Sequence, residues 1–256
     1  MNLRRIAHIE SRLQSSFERR YAGRILAALK KQGESYLSNG YISNDMYRVM
    51  EQMYDDMIRF WMPRQYRQLE RSTVKAVDFF LPKWFQFMQE LKITELVTRV
   101  KGIDETTEKT LRDIVTEGAT KGWTRGVITD KIVKATSGKI GNIRSRTISR
   151  TELGLVINTA KSKSAEDWKE ETGSKLGKLW IHRGAKDPRD WHMYLDNSMA
   201  IPENSRWQVT DPNTGITDNM MYPHDPSASA GNVINCGCQV IYVRWRDNNN
   251  YGTANF

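Results

Sequence analysis

The sequence predicts an α+β protein: a mostly helical N-terminal region followed by a small mixed α/β C-terminal domain with a closing β-strand. Through residues 1–172 apolar side chains recur every three or four positions, which is the spacing of amphipathic helices. Beyond residue 173 that spacing is lost in a stretch rich in Pro, Asn, Asp and Gly. Close to the C-terminus, apolar and polar residues alternate as they do along a strand.

A chain of 256 residues is long enough to bury two modest cores. We therefore predict an N-terminal helical domain at residues 1–100 and a second domain at residues 101–256. The second domain divides into a helical connector, 101–172, and a loop-rich β region, 173–246.

The first two helices are predicted from apolar residues that recur every three or four positions and so form a stripe along one helix face. One is predicted over residues 5–37, where a stripe runs from Ile6 to Leu29. The other is predicted to begin near Asn44, an N-cap type of residue, and to end where Pro63 interrupts it. Four methionines at heptad-like spacing in this second helix are expected to fill a core: Met46, Met50, Met53 and Met57.

Four further helices are predicted in the first two thirds of the chain. One begins after Pro82, and a compact one runs from Asp104, which opens it, to Gly122, which stops it. A short helix at 127–133 and a long helix at 142–171 complete the set.

Two strands are predicted in the C-terminal region. Residues 176–181 have the composition of a short extended segment. From Ile234 to Val243 apolar side chains alternate with other residues over ten positions, which predicts a strand with one apolar face.

The distribution of charge suggests a polyanionic partner. The net charge is +9, and no acidic residue occurs from Lys131 to Thr151. Such a surface attracts phosphates without sequence preference, so double-stranded DNA is a predicted partner. The candidate nucleic-acid-binding residues are Lys131, Lys134, Lys139, Arg144 and Arg146. The alternative is that they are solvated side chains near helix ends, because no aromatic residue lies among them.

The two cysteines, Cys236 and Cys238, are too close in sequence to form an unstrained disulfide, so reduced thiols are expected. The N-terminus lacks the apolar core and cleavage site of a signal peptide. No apolar run approaches the roughly 20 residues that span a bilayer. We therefore expect a protein that is made and kept in the cytosol and does not contact a membrane.

Several short motifs occur in a fixed order in the last 150 or so residues. They are Ile103-Asp104-x-Thr106-Thr107 with Leu111 and Glu117-Gly118, Ser149-Arg150-Thr151-Glu152 with Asn158 and Ala160, Lys178-x-Trp180, Asp187-x-Arg189-x-x-His192-x-x-Leu195-Asp196, Pro223-x-Asp225, and Asn235-Cys236-Gly237-Cys238. In this order and spacing the chain resembles the phage Mu F-like family of minor head, or head morphogenesis, proteins. It departs from the family pattern at Gly237, where Arg is usual, and at Asn197, where Gly is frequent.

The resemblance implies a minor capsid protein of a tailed phage, present in the virion at the capsid interior or portal vertex and made in the host cytoplasm. Its implied partners are the portal protein, other head proteins and non-specific double-stranded DNA. Its implied work is head assembly and DNA packaging or delivery, by binding and without enzymatic activity or a cofactor. The alternative is a metal-dependent nuclease or a transferase-like enzyme carried in the phage head.

Most motif residues are expected to be structural. Consecutive helix positions fan over about 200°, so Arg150, Thr151 and Glu152 cannot all face one substrate. Either Glu152 or Arg150 is expected to tuck under the β region and to hydrogen-bond a backbone group or an opposite charge, which fixes how helix and sheet dock. The alternative is direct contact with a substrate. Asn158 and Asn235 are expected to be structural as well.

The loop motif allows two interpretations. In the favoured one, Arg189 forms a charge network with Asp187 and Asp196 that pins a long loop, while His192 satisfies a backbone group. In the other, His192 is a general base and the carboxylates hold a divalent metal.

Cys236, Cys238 and His192 are the candidate metal ligands. Residues two apart on a strand point the same way, so two thiolates can face one imidazole, with a fourth ligand from Asp187, Asp196 or His224. The favoured interpretation is core packing, because the same alternation aligns both cysteines with the apolar face of the predicted strand.

Overall fold

The computed structural model describes residues 3–70, 75–183, 188–196 and 199–245. It confirms the predicted α+β class, because helices dominate as far as Thr172 and the strands follow in two small sheets. Within these ranges no helix is long and apolar enough to cross a lipid bilayer.

Two long helices open the chain, α1 (Leu3–Asn39) and α2 (Asp45–Glu70). The prediction that Pro63 ends the second helix is wrong, because α2 continues through it to its last residue. An internal proline costs a helix about 3 kcal/mol. Burial of side chains beyond it, such as Tyr66, offsets that cost.

The cores of α1 and α2 are only partly as predicted. The four methionines predicted to fill the core are fully buried on α2, which confirms them as core residues. On α1, Tyr21 and Ile25 are buried, but Ile9 is 38% exposed, whereas Glu10 and Gln14 are buried. The N-terminal part of α1 therefore turns a polar face inward.

The next helical stretch is continuous where the sequence predicts a break. α3 (Lys75–Leu91), a π-helical turn (Lys92–Leu96) and α4 (Val97–Thr120) follow one another without a loop. The prediction that Asp104 opens a helix is wrong. This residue lies inside α4, and its carboxylate accepts a hydrogen bond of 2.6 Å from Gln32 Nε2.

The predicted short and long helices are present as α5 (Arg125–Thr136) and α6 (Lys139–Thr172). The Thr124 hydroxyl caps α5 by accepting a hydrogen bond from the Val127 backbone N–H at 3.4 Å. Nearly every side chain of α6 in the range 151–165 is buried. This central segment of α6 contains the motif residues Thr151, Glu152, Asn158 and Ala160.

The strands form two antiparallel sheets. β1 (Leu176–Ile181), β2 (Ile201–Pro202) and β5 (Gln239–Arg244) make a three-stranded sheet in the order β2-β1-β5. β3 (Trp207–Thr210) and β4 (Thr217–Met220) make a separate two-stranded sheet.

Two short helices, α7 (Asp190–Asp196) and α8 (Ala230–Val233), lie between strands in sequence. The ten-residue strand predicted over residues 234–243 is too long, because β5 begins only at Gln239 and is buried on both faces. Asn235 adopts φ +58, a left-handed conformation that ends extended backbone. The two cysteines therefore lie in a turn before the strand.

Two compact units make up the chain. We call Met1–Ser16, Asp56–Gln86 and Arg150–Phe256 the sheet unit, and Phe17–Asp55 with Phe87–Ser149 the helical unit. Each unit is assembled from segments that are far apart in sequence. The predicted boundary at residue 100 falls inside α4, and the division into domains 1–100 and 101–256 stays a prediction.

Candidate functional site

The predicted DNA-binding residues lie on the helical unit. Four of them are exposed on α5 and the start of α6: Lys131, Lys134, Lys139 and Arg146. Arg144 differs, because its Nη2 donates hydrogen bonds to the Ile103 carbonyl at 3.0 Å and to the Thr107 hydroxyl at 2.8 Å. Burial lowers the pKa of its guanidinium. Arg144 therefore ties α6 to α4 instead of facing solvent.

An aromatic residue that the sequence analysis missed joins these cations. The Lys131 ammonium lies 4.2 Å from the ring centre of Trp123, and the Lys121 ammonium lies 5.7 Å from it. Trp123 belongs to the turn between α4 and α5, which precedes the basic segment from Lys131 to Thr151. We call the four exposed cations with Trp123 the basic surface.

The motif around Arg150 joins α6 to the turn before β5 in the sheet unit. Arg150 Nη1 donates a hydrogen bond to Asn235 Oδ1 at 3.3 Å, and Thr151 Oγ1 accepts one from the Asn235 backbone N–H at 2.9 Å. Glu152, which follows in the motif, is 5% exposed. These contacts link α6 to the turn before β5, and the structural role of the motif stays a prediction.

Asn158 forms the second set of hydrogen bonds that connects α6 to β5 and the segment before it. Its Oδ1 accepts a hydrogen bond from the Val240 backbone N–H at 2.9 Å, and its Nδ2 donates to the Gly154 carbonyl at 2.8 Å and the Cys238 carbonyl at 3.5 Å. The side chain is fully buried. One amide therefore satisfies the backbone of both elements.

The loop motif differs from the favoured interpretation. Asp187 lies outside the described residues. Arg189 Nη2 donates to the Ile234 carbonyl at 2.6 Å, and Asp196 Oδ1 accepts from the His182 backbone N–H at 2.8 Å. Burial raises the pKa of the Asp196 carboxyl despite that hydrogen bond. A charge network linking Arg189 to Asp196 is therefore wrong for the described chain, since each side chain holds a backbone group.

His192, Cys236 and Cys238 converge in the sheet unit. His192 Nδ1 lies 3.4 Å from Cys236 Sγ and 3.8 Å from Cys238 Sγ, and the three ligand atoms lie within 4.8 Å of one another. Their side chains are 1–3% exposed, and both cysteines are free thiols. The prediction that His192 satisfies a backbone group is wrong, because its partners are thiols and an amide.

That amide belongs to Asn232, another residue the sequence analysis missed, and it fixes the proton on His192. Asn232 Oδ1 accepts a hydrogen bond of 2.8 Å from Trp191 Nε1, which can only donate. Asn232 Nδ2 donates to the Val209 carbonyl at 3.0 Å and to Asp218 Oδ2 at 2.8 Å. With the amide orientation set, His192 Nε2 at 3.2 Å from Oδ1 carries the hydrogen. The lone pair of Nδ1 therefore faces the thiols.

His224 approaches the cluster from the loop between β4 and α8. It is fully buried and adopts φ +63. A Cβ added at Gly154 of α6 would lie 2.3–2.5 Å from its ring, so a glycine is needed there. Neither buried ring nitrogen of His224 has a hydrogen-bond partner among the described residues. Asp225 braces this loop by accepting a hydrogen bond from the Met221 backbone N–H at 2.7 Å.

The two thiols differ in acidity. A hydrogen bond from Cys238, helped by His224 and His192, lowers the pKa of the Cys236 thiol and outweighs the effect of burial. The same hydrogen bond, together with burial, raises the pKa of the Cys238 thiol. The Cys238 backbone N–H also donates to Cys236 Sγ at 3.4 Å. Of the two thiols, Cys236 is therefore the more acidic.

Such a cluster supports two kinds of chemistry. Sulfur and imidazole ligands bind a soft or borderline divalent metal. A thiolate beside a histidine that is oriented by an amide is also the arrangement of a cysteine nucleophile. Exposure of only 1–3% gives a substrate little access to the sulfur, which favours metal binding over nucleophilic catalysis.

No family model, no curated protein and no solved structure matches the chain. The family resemblance therefore rests on the motif residues whose positions are described above.

Proposed function

We propose that this chain is a minor head protein of a tailed phage, acting at the portal vertex in head assembly and in DNA packaging or delivery. The convergence of the family-like motifs carries the proposal. Arg150 and Thr151 contact Asn235 across more than 80 positions of sequence, and Asn158 reaches Cys238. Motifs that lie far apart in sequence and meet at one place in the fold support a shared role.

The contacts of these residues favour an assembly role over catalysis. Thr151, Asn158 and Arg189 are all engaged with backbone groups of the segment from Ile234 to Val240. Groups committed in this way fix one conformation of a fold. A rigid sheet unit that presents a defined surface suits a component that docks on other head proteins.

The basic surface supports the proposed contact with DNA. Its four cations are exposed, and no acidic residue interrupts the sequence from Lys131 to Thr151. Trp123 adds a half-buried aromatic ring beside Lys131. Cations without base-reading partners bind the phosphate backbone regardless of sequence.

The assembly proposal is tested by proteomics of virions. Virions of the phage or prophage that encodes this chain are purified on density gradients and analysed by mass spectrometry. We expect peptides of the chain at a small copy number relative to the major capsid protein. Virions that form normally and lack the chain would contradict the proposal.

The DNA-binding proposal is tested by the salt dependence of binding to a duplex of arbitrary sequence. The test variant carries glutamine at Lys131, Lys134, Lys139 and Arg146. The control carries glutamine at four lysines of the helical unit that already pair with a carboxylate and lie outside the basic surface: Lys30, Lys31, Lys101 and Lys109. Both variants have the same net charge, so any difference between them reports position.

Each phosphate that a variant no longer neutralises should reduce the slope of log K against log salt by about 0.9. We expect the slope to become much shallower in the test variant and to stay unchanged in the control. Equal reductions in the two variants would contradict a localised DNA-binding surface. Cleavage of the duplex when divalent metal is added would instead favour the nuclease alternative.

A further inference from the structure

The ligand atoms around Cys236 have the spacing of a tetrahedral metal site. Zinc binds sulfur at about 2.3 Å and imidazole nitrogen at about 2.0–2.1 Å, so a nitrogen and a sulfur on one tetrahedron lie about 3.6 Å apart. His192 Nδ1 lies 3.4 Å from Cys236 Sγ and 3.8 Å from Cys238 Sγ. Both nitrogen–sulfur distances are therefore close to those of ligands on one tetrahedral ion, and all three ligand atoms lie within 4.8 Å of one another.

The surroundings prepare His192 to bind through Nδ1. Asn232 Oδ1 accepts the hydrogen of Nε2, which leaves the lone pair on the nitrogen that faces the sulfurs. Asn232 is itself held by Asp218, whose carboxylate also accepts hydrogen bonds from the Ser229 N–H at 3.0 Å and hydroxyl at 2.6 Å. Metal-binding histidines are typically oriented by such a second layer of hydrogen bonds.

His224 supplies an independent indication of a ligand. Its imidazole is fully buried, and apart from its influence on the Cys236 thiol no hydrogen bond from the described residues offsets the cost of removing it from water. The chain nevertheless holds it at φ +63 and leaves Gly154 without a side chain to admit its ring. The ring lies beside Cys236, close enough to influence its thiol. A metal ion bound by the cysteines satisfies one of its nitrogens.

We propose that His192, His224, Cys236 and Cys238 bind one structural Zn²⁺ ion. Two sulfurs and two imidazoles, with no carboxylate, match the preference of zinc over magnesium and calcium. The four ligands come from α7, the loop before α8 and the turn before β5, so the ion fastens three segments that are separate in sequence. This inference is independent of the proposed function.

The experiment begins with zinc content. The full-length chain is produced in zinc-supplemented medium, dialysed against metal-free buffer and analysed by native mass spectrometry and elemental analysis. We expect one zinc per chain, released when a mercurial reagent modifies the thiols. A chain that stays metal-free after incubation with equimolar zinc would overturn the proposal.

Ligand identity is tested by single variants. Cys236→Ser, Cys238→Ser, His192→Gln and His224→Gln should each weaken zinc binding at least tenfold in competition with a chromogenic chelator. His8→Gln, at an exposed histidine of α1, is the matched control and should bind zinc as the wild type does. Undiminished zinc binding by His224→Gln would overturn the four-ligand site.

Two measurements on the wild-type chain keep the test decisive if a variant does not fold. Cobalt(II) in place of zinc should give the intense visible bands of a tetrahedral site and a thiolate charge-transfer band. A strong chelator should lower the melting temperature by several degrees, and added zinc should restore it. Melting that ignores the chelator, with both thiols alkylated at the rate of free cysteine, would overturn the proposal and favour a reactive cysteine.

Discussion

Replacing Lys161 with methionine should destabilise the protein strongly, because it would leave a carboxylate buried without its counter-ion. Lys161 is fully buried on α6, and its Nζ donates to Glu10 Oε2 at 2.5 Å, to Gln239 Oε1 at 3.2 Å and to the Val240 carbonyl at 2.8 Å. The ammonium has three hydrogens, so every one is used. Glu10 is itself only 1% exposed.

The magnitude follows from that geometry. Removing one partner of a buried ion pair costs about 3–5 kcal/mol, since the remaining charge stays desolvated. Removing both charges avoids most of this penalty. The double variant Glu10→Leu with Lys161→Met should therefore regain about 2–4 kcal/mol relative to the single Lys161→Met variant.

Urea unfolding followed by tryptophan fluorescence at neutral pH measures these free energies. Lys109→Met is the control, because its ion pair with Asp113 is exposed on α4 and should contribute at most about 0.5 kcal/mol. Single substitutions whose costs simply add in the double variant would refute the argument that the buried charges are coupled.

Two further predictions concern buried positions of the sheet unit. Gly154→Ala should destabilise the protein by about 1–3 kcal/mol, because the new methyl group meets the His224 ring, whereas Gly102→Ala in the open interior of α4 should stabilise it by about 0.5–1 kcal/mol. Urea unfolding measures both, and equal effects would contradict the predicted contact with His224. Burial lowers the pKa of Lys178 to about 8. Between that value and 10.5 the unfolded chain binds more protons than the folded one, so stability should rise with pH across this window. Lys178→Met should lack the rise in melting temperature between about pH 8 and 10, and an unchanged profile would exclude this lysine as its source.

The sequence alone determined the class of the fold and most of its helices. Periodic apolar residues identify a helix regardless of its partners, because the side chains of one stripe must be covered by something. For this reason the methionines of α2 and the length of α6 were predicted correctly. The sequence also predicted that a helix ends at Pro63 and that another begins at Asp104. At both positions tertiary burial outweighed the local preference, and the helix continues.

The tertiary structure decided which polar residues act together. Nothing in the sequence singles out Asn232, since its hydrogen bonds run to residues that are up to 41 positions away. The same holds for Trp123, which only the turn between α4 and α5 brings against Lys131. Contacts of this kind depend on the packing of distant segments, which no local pattern encodes.

The cysteine pair shows most clearly what the sequence predicted and what only the tertiary structure decided. Its alternation with apolar residues predicted a strand with both thiols on a core face, and the sequence left a metal site as the less favoured alternative. In the structure the strand begins only at Gln239, after Asn235 with its left-handed backbone, and both sulfurs lie near His192. The sequence shows which residue types are present, whereas the distances between their side chains depend on how α6, α7 and the segment before β5 pack together, with Asn158 holding α6 to β5.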